Sequence, residues 1–381
     1  MKLLLATGIY PPDIGGPATY AVLLEKELPK RGVSVEIVTY GPSSVSRSFP
    51  KGLRHFIFFL KCFAKALKSD VILAQDTISA GLPTLFAAKI SGRKFIIRVP
   101  GDYVWEQSTQ RFGVKDSIDD FQNKKYSWKV EFLRCIQKFV VGNADVVITP
   151  SNYFSDLVRN WVKNKNKVVT IYNGIDLPKN ADLRIKCESA DCGYKENQQS
   201  ASSAYHSHNQ HHRTMVSVGR LVPWKGFNFL IELMKDLPGW KLTIVGDGPE
   251  MENLQLLITN YQLQNRVELA GAVSREKVLS YLSNAEIFIL NTAFESFSFQ
   301  VVEAMSLGLP VITTNICNLA EIIENGVDGI LVDPNSKEQF LNAIEKLDKD
   351  ENFRNEISQK AKIKSKKFSI ENTINELVKI L

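Results

Sequence analysis

Residues 215–235, MVSVGRLVPWKGFNFLIELMK, contain the pattern that decides the fold. Met215–Val218 is a short apolar run, a loop follows between Gly219 and Gly226, and Phe227–Lys235 has the apolar spacing of a helix. A strand that leads through a short loop into a helix is typical of a βα unit. Such units in series predict a parallel sheet with helices on both faces.

The same alternation runs along most of the 381 residues. After the quoted stretch we predict strands at Lys241–Val245, Val267–Leu269, Ile287–Leu290, Val311–Thr313 and Ile330–Val332. Before it we predict strands at Leu3–Thr7, Val33–Thr39, Val71–Ala74, Phe95–Val99, Val146–Thr149 and Val168–Ile171. Helical patterns separate the strands, including those at Ser79–Ile90, Lys125–Val141, Asn152–Val162, Met251–Tyr261 and Lys277–Ser283. The fold class predicted is therefore α/β, with two Rossmann-like, doubly wound domains facing each other across a cleft.

Composition changes divide the chain into four segments. Residues 1–176 form the first predicted domain and residues 214–366 the second. Residues 177–213 are polar, rich in Ser, Asn, Gln and His, and predict a linker or an insertion. This segment holds His206, His208, His211 and His212 near Cys187 and Cys192, in a spacing that fits no structural zinc site. Residues 367–381 predict a final helix that can pack back on either domain, including the first.

The composition is that of a globular protein, with 44% hydrophobic and 23% charged residues. A net charge of +6 is mild for this length, so nucleic acid is not an expected partner. The five cysteines are odd in number and irregularly spaced, which fits a reducing compartment. No apolar run is long enough for a membrane span. We expect a cytoplasmic protein.

One segment leaves a membrane role open. Lys51–Lys68 alternates aromatic and aliphatic residues with five Lys and Arg residues. It is either a crossover helix buried on one face or a basic amphipathic helix at the inner face of an anionic membrane. The two interpretations can coexist, and the second would make the protein peripheral to the membrane.

Ligands in open parallel sheets bind beyond the carboxyl ends of the strands, so the loops there are the candidate sites. Gly15 and Gly16 follow the first strand and precede a helix, where free amides favour an anion, although a plain turn explains them equally well. Arg220 and Lys225 lie on one loop after a strand, and together suit a diphosphate. Two solvated charges are the alternative. The Gly246-Asp247-Gly248-Pro249-Glu250 turn can shape the same cleft.

Two carboxylates, Glu295 and Glu303, flank a predicted helix start near Phe299. The first lies in the loop after Ile287–Leu290 and can meet a sugar. The second lies about one turn inside the helix and can meet a ribose diol. The free amides between them can bind hydroxyls or phosphate.

These features occur in an order that resembles the retaining glycosyltransferases of family 4, which have the two-domain GT-B fold. The shared elements are the Glu295 and Glu303 pair, the Arg220 and Lys225 loop, the Gly246–Glu250 turn, the Asn173-Gly174-Ile175-Asp176 segment and the Gly15-Gly16 loop. The resemblance covers nearly the whole chain outside 177–213. It implies transfer of a sugar from a UDP- or GDP-linked donor to a glycan or lipid-linked acceptor.

The resemblance also implies roles for individual residues. Arg220 and Lys225 would neutralise the leaving diphosphate, Glu303 would hold the ribose, and Glu295 would contact the donor sugar near its reacting carbon. Backbone amides would hold the sugar hydroxyls and the phosphate, at Phe297, Ser298, Phe299, Gly15 and Gly16. The nucleotide-sugar is a co-substrate, and no cofactor or metal is expected. Asp348-Lys349-Asp350 is interpreted as a solvated run.

Two departures from the family pattern affect the site. The usual Glu-Gly-Phe-Gly here reads Glu295-Ser296-Phe297-Ser298, and a positive φ at the last position would strain Ser298. Relatives place a histidine in the first-domain cleft, whereas His55 lies within an apolar helix. The predicted strand Phe95–Val99 is followed by a loop that contains Gly101-Asp102-Tyr103-Val104-Trp105-Glu106, and Asp102 is the residue we predict on the acceptor side. The alternatives are a non-catalytic nucleotide-sugar-binding paralogue and a sugar phosphorylase of related fold.

Overall fold

A computed structural model describes residues 1–13, 16–41, 50–176 and 213–381. Gly15 and the predicted linker, except Arg213, lie outside these ranges, as do its histidines and Cys187 and Cys192. The chain divides into two compact units. The first comprises Met1–Gly174, Phe294–Phe297 and Phe368–Leu381, and the second comprises Ile175–Ala293 and Ser298–Lys367.

The described part of the first unit contains a six-stranded parallel sheet of order β2-β1-β3-β4-β5-β6. In chain order the strands are Lys2–Thr7, Ser34–Thr39, Val71–Ala74, Lys94–Arg98, Val146–Thr149 and Val168–Thr170. The helices are α1 Gly16–Glu27, α2 Lys51–Ala66, α3 Gly81–Ser91, α4 Tyr103–Arg111, α5 Ile118–Asn123, α6 Trp128–Asn143, α7 Asn152–Arg159 and, at the C-terminus, α15 Ile370–Ile380.

The central strands contain nearly continuous apolar runs because helices cover both faces of the sheet. All four residues of β3 are buried, for example. The C-terminal helix α15 belongs to this unit: Ile374 and Leu377 enter the core beside Tyr20 and Leu24 of α1. The Thr373 hydroxyl also donates to the carbonyl oxygen of Tyr172 at 2.8 Å.

The second unit has a parallel sheet of six described strands in the order β12-β11-β10-β7-β8-β9. Its strands β7 to β12 are Thr214–Val218, Lys241–Val245, Val267–Gly271, Ile287–Leu290, Val311–Thr314 and Ile330–Val332. Its helices are α8 Phe227–Leu233, α9 Met251–Asn260, α10 Arg275–Asn284, α11 Phe299–Ser306, α12 Leu319–Ile322, α13 Lys337–Lys349 and α14 Glu351–Ser365. Its core packs Phe227, Leu230 and Ile231 of α8 against strands and α13.

The fold class is confirmed in its local architecture: both sheets are parallel and all twelve predicted strands are present, with ends that differ by at most two residues. One local prediction is wrong. Residues 103–106, predicted as loop, begin α4, because Asp102 caps that helix. Four further helices, α5, α12, α13 and α14, have no counterpart among the predicted elements.

Candidate active site

The first strand of the second unit, β7, lies between β10 and β8. The chain proceeds from β7 to β8 in one direction across the sheet and from β10 to β11 in the other. This arrangement makes the β7–β10 junction the topological switch point, where open α/β sheets leave a crevice at the carboxyl ends of the strands. The loop after β7 carries Arg220 and Lys225, and the loop after β10 carries Asn291 and Thr292.

Lys225 is held by a compact turn in the β7 loop. Pro223–Lys225 is a 3-10 turn whose Lys225 amide donates to the carbonyl oxygen of Val222. Lys225 is only 8% exposed. Its side chain passes close to Gly219, where an added β-carbon would lie 3.8 Å from the Lys225 Cε atom. Arg220 on the same loop is exposed. The loop therefore offers one confined ammonium and one accessible guanidinium, as a diphosphate site requires.

The loop after β10 anchors the Lys225 turn. The Ala293 amide and the Thr292 hydroxyl both donate to the carbonyl oxygen of Trp224, at 2.7 and 3.1 Å. Gly226 has a φ of +59°, and a side chain there would overlap the Asn291 carbonyl oxygen. Only glycine permits this contact without strain. Lys225 is thus positioned by backbone contacts on both sides of it.

The Gly246-Asp247-Gly248 turn after β8 packs against the other side of the β7 loop. A side chain on Gly246 would overlap the Gly219 carbonyl oxygen, and one on Gly248 would overlap that of Leu221. The Leu221 amide donates to the Asp247 carbonyl oxygen at 3.0 Å. The turn therefore supports the loop that carries Arg220 and Lys225.

Glu303 lies in the second turn of α11 and forms an ion pair with Arg275, at 3.0 Å between Glu303 Oε1 and Arg275 Nη2. The Glu303 side chain is 13% exposed and that of Arg275 is 46% exposed. Burial raises the pKa of Glu303, and the attraction of Arg275 only partly offsets that effect. Arg275 is not among the predicted site residues, although a cation in the first turn of a helix opposes the helix dipole and is a signal in itself.

Ser298 is the N-cap residue of α11 and is fully buried. Its φ is −96°, so the strain expected for a non-glycine residue at this position is absent. Among the described residues its Oγ is one of the buried side-chain atoms without a hydrogen-bond partner. A buried hydroxyl of this kind beside the first amides of α11, at Phe299 and Gln300, is suited to bind a ligand hydroxyl.

Glu295 lies on the β10–α11 connection, in the short segment assigned to the first unit. Aromatic contacts within that unit hold the segment in place on both sides of Glu295. The Phe294 ring lies 4.7 Å from that of Trp105, and the Phe297 ring lies 5.7 Å from that of Phe368. Glu295 itself is 7% exposed. These contacts place a buried carboxylate on a segment held by large apolar rings.

In the first unit, Gly16 is the first residue of α1 and is exposed, with open space around its α carbon. Its partner in the predicted anion loop, Gly15, lies outside the described residues. His55 lies on α2, and its Nδ1 is 2.7 Å from the Tyr40 hydroxyl. This contact is part-buried.

Asp102 is almost completely buried at the start of α4. Its Oδ1 accepts hydrogen bonds from the amides of Val104 and Trp105 and from Gln137 Nε2, at 3.0–3.2 Å. Its Oδ2 accepts from Gln122 Nε2 at 2.9 Å. These contacts suffice to explain a buried carboxylate as a structural residue. The acceptor-side role stays a prediction.

The Asp348 and Asp350 carboxylates are engaged in local contacts. Asp348 forms an ion pair with Arg213 at 2.9 Å, and Asp350 caps α14 by accepting from the Phe353 amide. The interpretation of this run as merely solvated is therefore incomplete.

Two family models match this chain. The model of the glycosyl transferases group 1 matches residues 198–364, and that of the Glycosyltransferase Family 4 matches residues 14–179. Together they span most of the chain and both of its units.

Among similar proteins, the uncharacterized glycosyltransferase MJ1607 of Methanocaldococcus jannaschii is 25% identical, over 100% of this chain and 97% of its own length. The lipopolysaccharide core biosynthesis glycosyltransferase LpsE of Rhizobium meliloti is 31% identical over 38% of this chain. This chain matches less than two thirds of the length of some relatives. It spans 42% of the length of LpsE and 61% of that of MJ1178, another uncharacterized glycosyltransferase of M. jannaschii.

Solved structures share the fold over the whole chain. Anabaena Alr3699/HepE in complex with UDP-glucose superposes with a TM-score of 0.72 at 20% identity, covering 100% of both chains. Sucrose-phosphate synthase from Thermosynechococcus elongatus superposes with a TM-score of 0.73 at 18% identity, covering 100% of this chain and 98% of the other.

Proposed function

This chain belongs to the glycosyl transferases of group 1 and family 4, and we propose that it transfers a sugar from a UDP- or GDP-linked donor to a glycan or lipid-linked acceptor with retention of anomeric configuration. The observation that carries the proposal is the confinement of Lys225 beside Arg220 at the switch point of the second sheet. Two cations there match the charge of a nucleoside diphosphate.

In the proposed reaction, the bond between the anomeric carbon and the β-phosphate oxygen breaks, and an acceptor hydroxyl oxygen bonds to that carbon on the same face. The acceptor proton passes to the leaving phosphate. Negative charge accumulates on the diphosphate as the bond breaks, and Lys225 and Arg220 stabilise it. We propose that these two cations take the part that a metal plays elsewhere, so that no metal is needed.

The remaining site residues orient the donor. We propose that Glu303 accepts hydrogen bonds from the ribose hydroxyls, and that its ion pair with Arg275 favours the ionised carboxylate that burial disfavours. Glu295 would accept from the donor sugar. The Ser298 hydroxyl and the first amides of α11 would donate to it. Gly15 and Gly16 would approach the phosphate from the first unit.

Names of similar proteins favour a uridine nucleotide and a surface glycan. Alr3699/HepE is described in complexes with UDP, UDP and glucose, and UDP-glucose. LpsE is described as acting in lipopolysaccharide core biosynthesis. We propose a UDP-sugar donor and an acceptor of this polysaccharide or glycolipid class. The cytoplasmic location remains part of the proposal. Within the described ranges, no helix has the length and apolarity to span a bilayer.

A panel of UDP- and GDP-sugars, with release of nucleoside diphosphate as the signal, tests this function. We expect turnover of one donor class, and a loss of about 100-fold or more in kcat for Lys225→Ala. Lys360→Ala is the matched control, since Lys360 is a surface lysine paired with Glu356 on α14. Turnover of no donor, or an unchanged rate for Lys225→Ala, would refute the proposal.

A further inference from the structure

Helices α2, α3 and α6 lie side by side on one face of the first sheet. The crossovers β2 to β3, β3 to β4, β4 to β5 and β5 to β6 all run in one direction across the sheet. Because such crossovers are right-handed, α2, α3 and α6 lie on the same face, as does α7. α2 packs against α3, and α3 packs against α6. The crossover β1 to β2 runs the other way, so α1 lies on the opposite face, where it shares a core with α15.

This helical layer exposes an unusual number of apolar side chains. More than half of the large apolar side chains that are exposed in the described part of the chain lie on it. The exposed fractions reach 75% for Trp128, 59% for Phe132 and 57% for Phe56. The basic aromatic face, as we call it, comprises Leu53, Phe56, Leu60, Phe86, Ile90, Trp128, Phe132 and Phe139 with the Lys and Arg residues of these three helices.

The exposed residues form stripes separate from those that build the core. On α2, Leu53, Phe56 and Leu60 follow one another at helical spacing, whereas Phe58 and Cys62 on the other side of the helix are buried. Phe86 of α3 and Phe139 of α6 bring their rings to 6.4 Å, so two stripes meet. A helix on a sheet needs only one apolar stripe, so the second indicates a contact with something outside the fold.

Charge on the same helices identifies the kind of partner. α2 carries four Lys and Arg residues, α3 carries one and α6 carries three, against Glu131 as the one acidic residue in these ranges. Eight positive charges less one negative leave +7, whereas the whole chain has a net charge of +6. These three helices therefore carry an excess of positive charge. Lys65 is paired with Glu36 and Arg134 with Glu131, and the remaining exposed lysines can attract an anionic surface.

We propose that the basic aromatic face docks onto the surface of an anionic phospholipid bilayer. Trp128, Phe132 and Phe56 enter the headgroup region, where amphipathic aromatic rings are favoured. Lys61, Lys138 and their neighbours remain among the lipid phosphates, each adding about 1 kcal/mol of attraction. If two copies of this chain met through this face, the positively charged helices of one copy would lie against those of the other. The repulsion between them disfavours self-association through this face.

The proposal does not depend on the transferase chemistry, because its test measures binding alone. The full chain is floated with vesicles of phosphatidylcholine, with and without roughly one quarter phosphatidylglycerol. We expect binding to the anionic vesicles that weakens as salt is raised. Phe56→Ser with Trp128→Ser should lower the partition coefficient at least tenfold. The matched control is Leu256→Ser with Ile363→Ser, which removes two comparably exposed apolar side chains from the second unit.

A charge-reversal pair separates the two parts of the mechanism. Lys61→Glu with Lys138→Glu should lower binding to anionic vesicles at least tenfold and leave the melting temperature within a degree or so, because both side chains are exposed. The proposal fails if the wild-type chain does not bind anionic vesicles, or if both variant pairs bind like the control. It also fails if sedimentation velocity shows a dimer that Phe56→Ser with Trp128→Ser dissociates, since the face would then join two copies.

Discussion

Arg275 and Glu303 form an ion pair between the first turn of α10 and the second turn of α11, at 3.0 Å. Burial raises the pKa of Glu303, so the ionised form is disfavoured by the fold and supported by Arg275. Because the fold favours the neutral Glu303 carboxyl, the contribution of this group to stability is present at low pH. It is lost as the pH rises through the pKa that Glu303 has in the folded protein. Arg275 limits that loss.

Arg275→Gln is therefore expected to destabilise the protein in a pH-dependent way. Below the ordinary glutamate pKa the Glu303 carboxyl is protonated in both states, and the variant should unfold like the wild type. Near pH 8 the loss should be about 1 kcal/mol, because water screens the half-exposed Arg275. Urea unfolding of the wild type and the variant at pH 4 and pH 8 measures this loss in the free energy of unfolding. A loss that is equal at both pH values would exclude the proposed coupling.

Gly226→Ala tests the positioning of Lys225. The variant would place a side chain at a φ of +59° where it overlaps the Asn291 carbonyl oxygen. We expect a loss of about 3 kcal/mol in the free energy of unfolding and a fall in donor turnover. Gly271→Ala is the matched control, since Gly271 has a φ of +69° but open space around it, and should lose only about 1 kcal/mol. Equal losses in the two variants would mean that the close approach to Asn291 contributes nothing.

Ser298→Ala separates a ligand contact from a structural one. The Ser298 Oγ is buried without a partner among the described residues, so its removal should leave the melting temperature unchanged or slightly raised. If the hydroxyl binds the donor sugar, the KM for the donor should rise about fivefold to tenfold. Steady-state kinetics and a thermal melt, done on the same preparation, check both parts. A lowered melting temperature with an unchanged KM would assign the hydroxyl to the fold.

Asp102→Ala should cost about 2–3 kcal/mol, since it removes a helix cap and leaves the buried Gln137 amide without its acceptor. Asp102→Asn keeps an oxygen for the cap and should cost less. Chemical unfolding gives both values. Turnover by Asp102→Asn, measured well below its melting temperature, addresses the predicted acceptor role: a large loss in a stable variant supports it, and full activity excludes it.

The architecture follows from the sequence because short apolar runs such as Val71–Ala74 are bounded by turns and buried on both faces. Periodicity detects such runs well. It fails for α5 and α12, which have six and four residues and too few turns to show a pattern. Length does not explain why α13 and α14 have no predicted counterpart, since they have 13 and 15 residues. It also fails for α4, where the helix start depends on the Asp102 side chain.

The parts of the candidate site that follow from the order of strands and loops along the chain can be predicted from the sequence. The parts that depend on tertiary packing cannot. Arg220 and Lys225 are identified by their place after a strand in a parallel sheet. The partnership of Glu303 with Arg275 joins two helices through their tertiary packing, and no local pattern reports it. The backbone angle of Ser298 depends on the N-cap geometry of α11, so the strain inferred from residue type alone is absent.

The most direct test of a diphosphate site at the switch point is the melting temperature of the protein with UDP, GDP or uridine. A ligand that binds only the folded state raises the melting temperature. We expect an increase of several degrees with one nucleoside diphosphate, none with uridine, and none for Lys225→Ala. An equal increase for the wild type and Lys225→Ala, or no increase with either diphosphate, would contradict it.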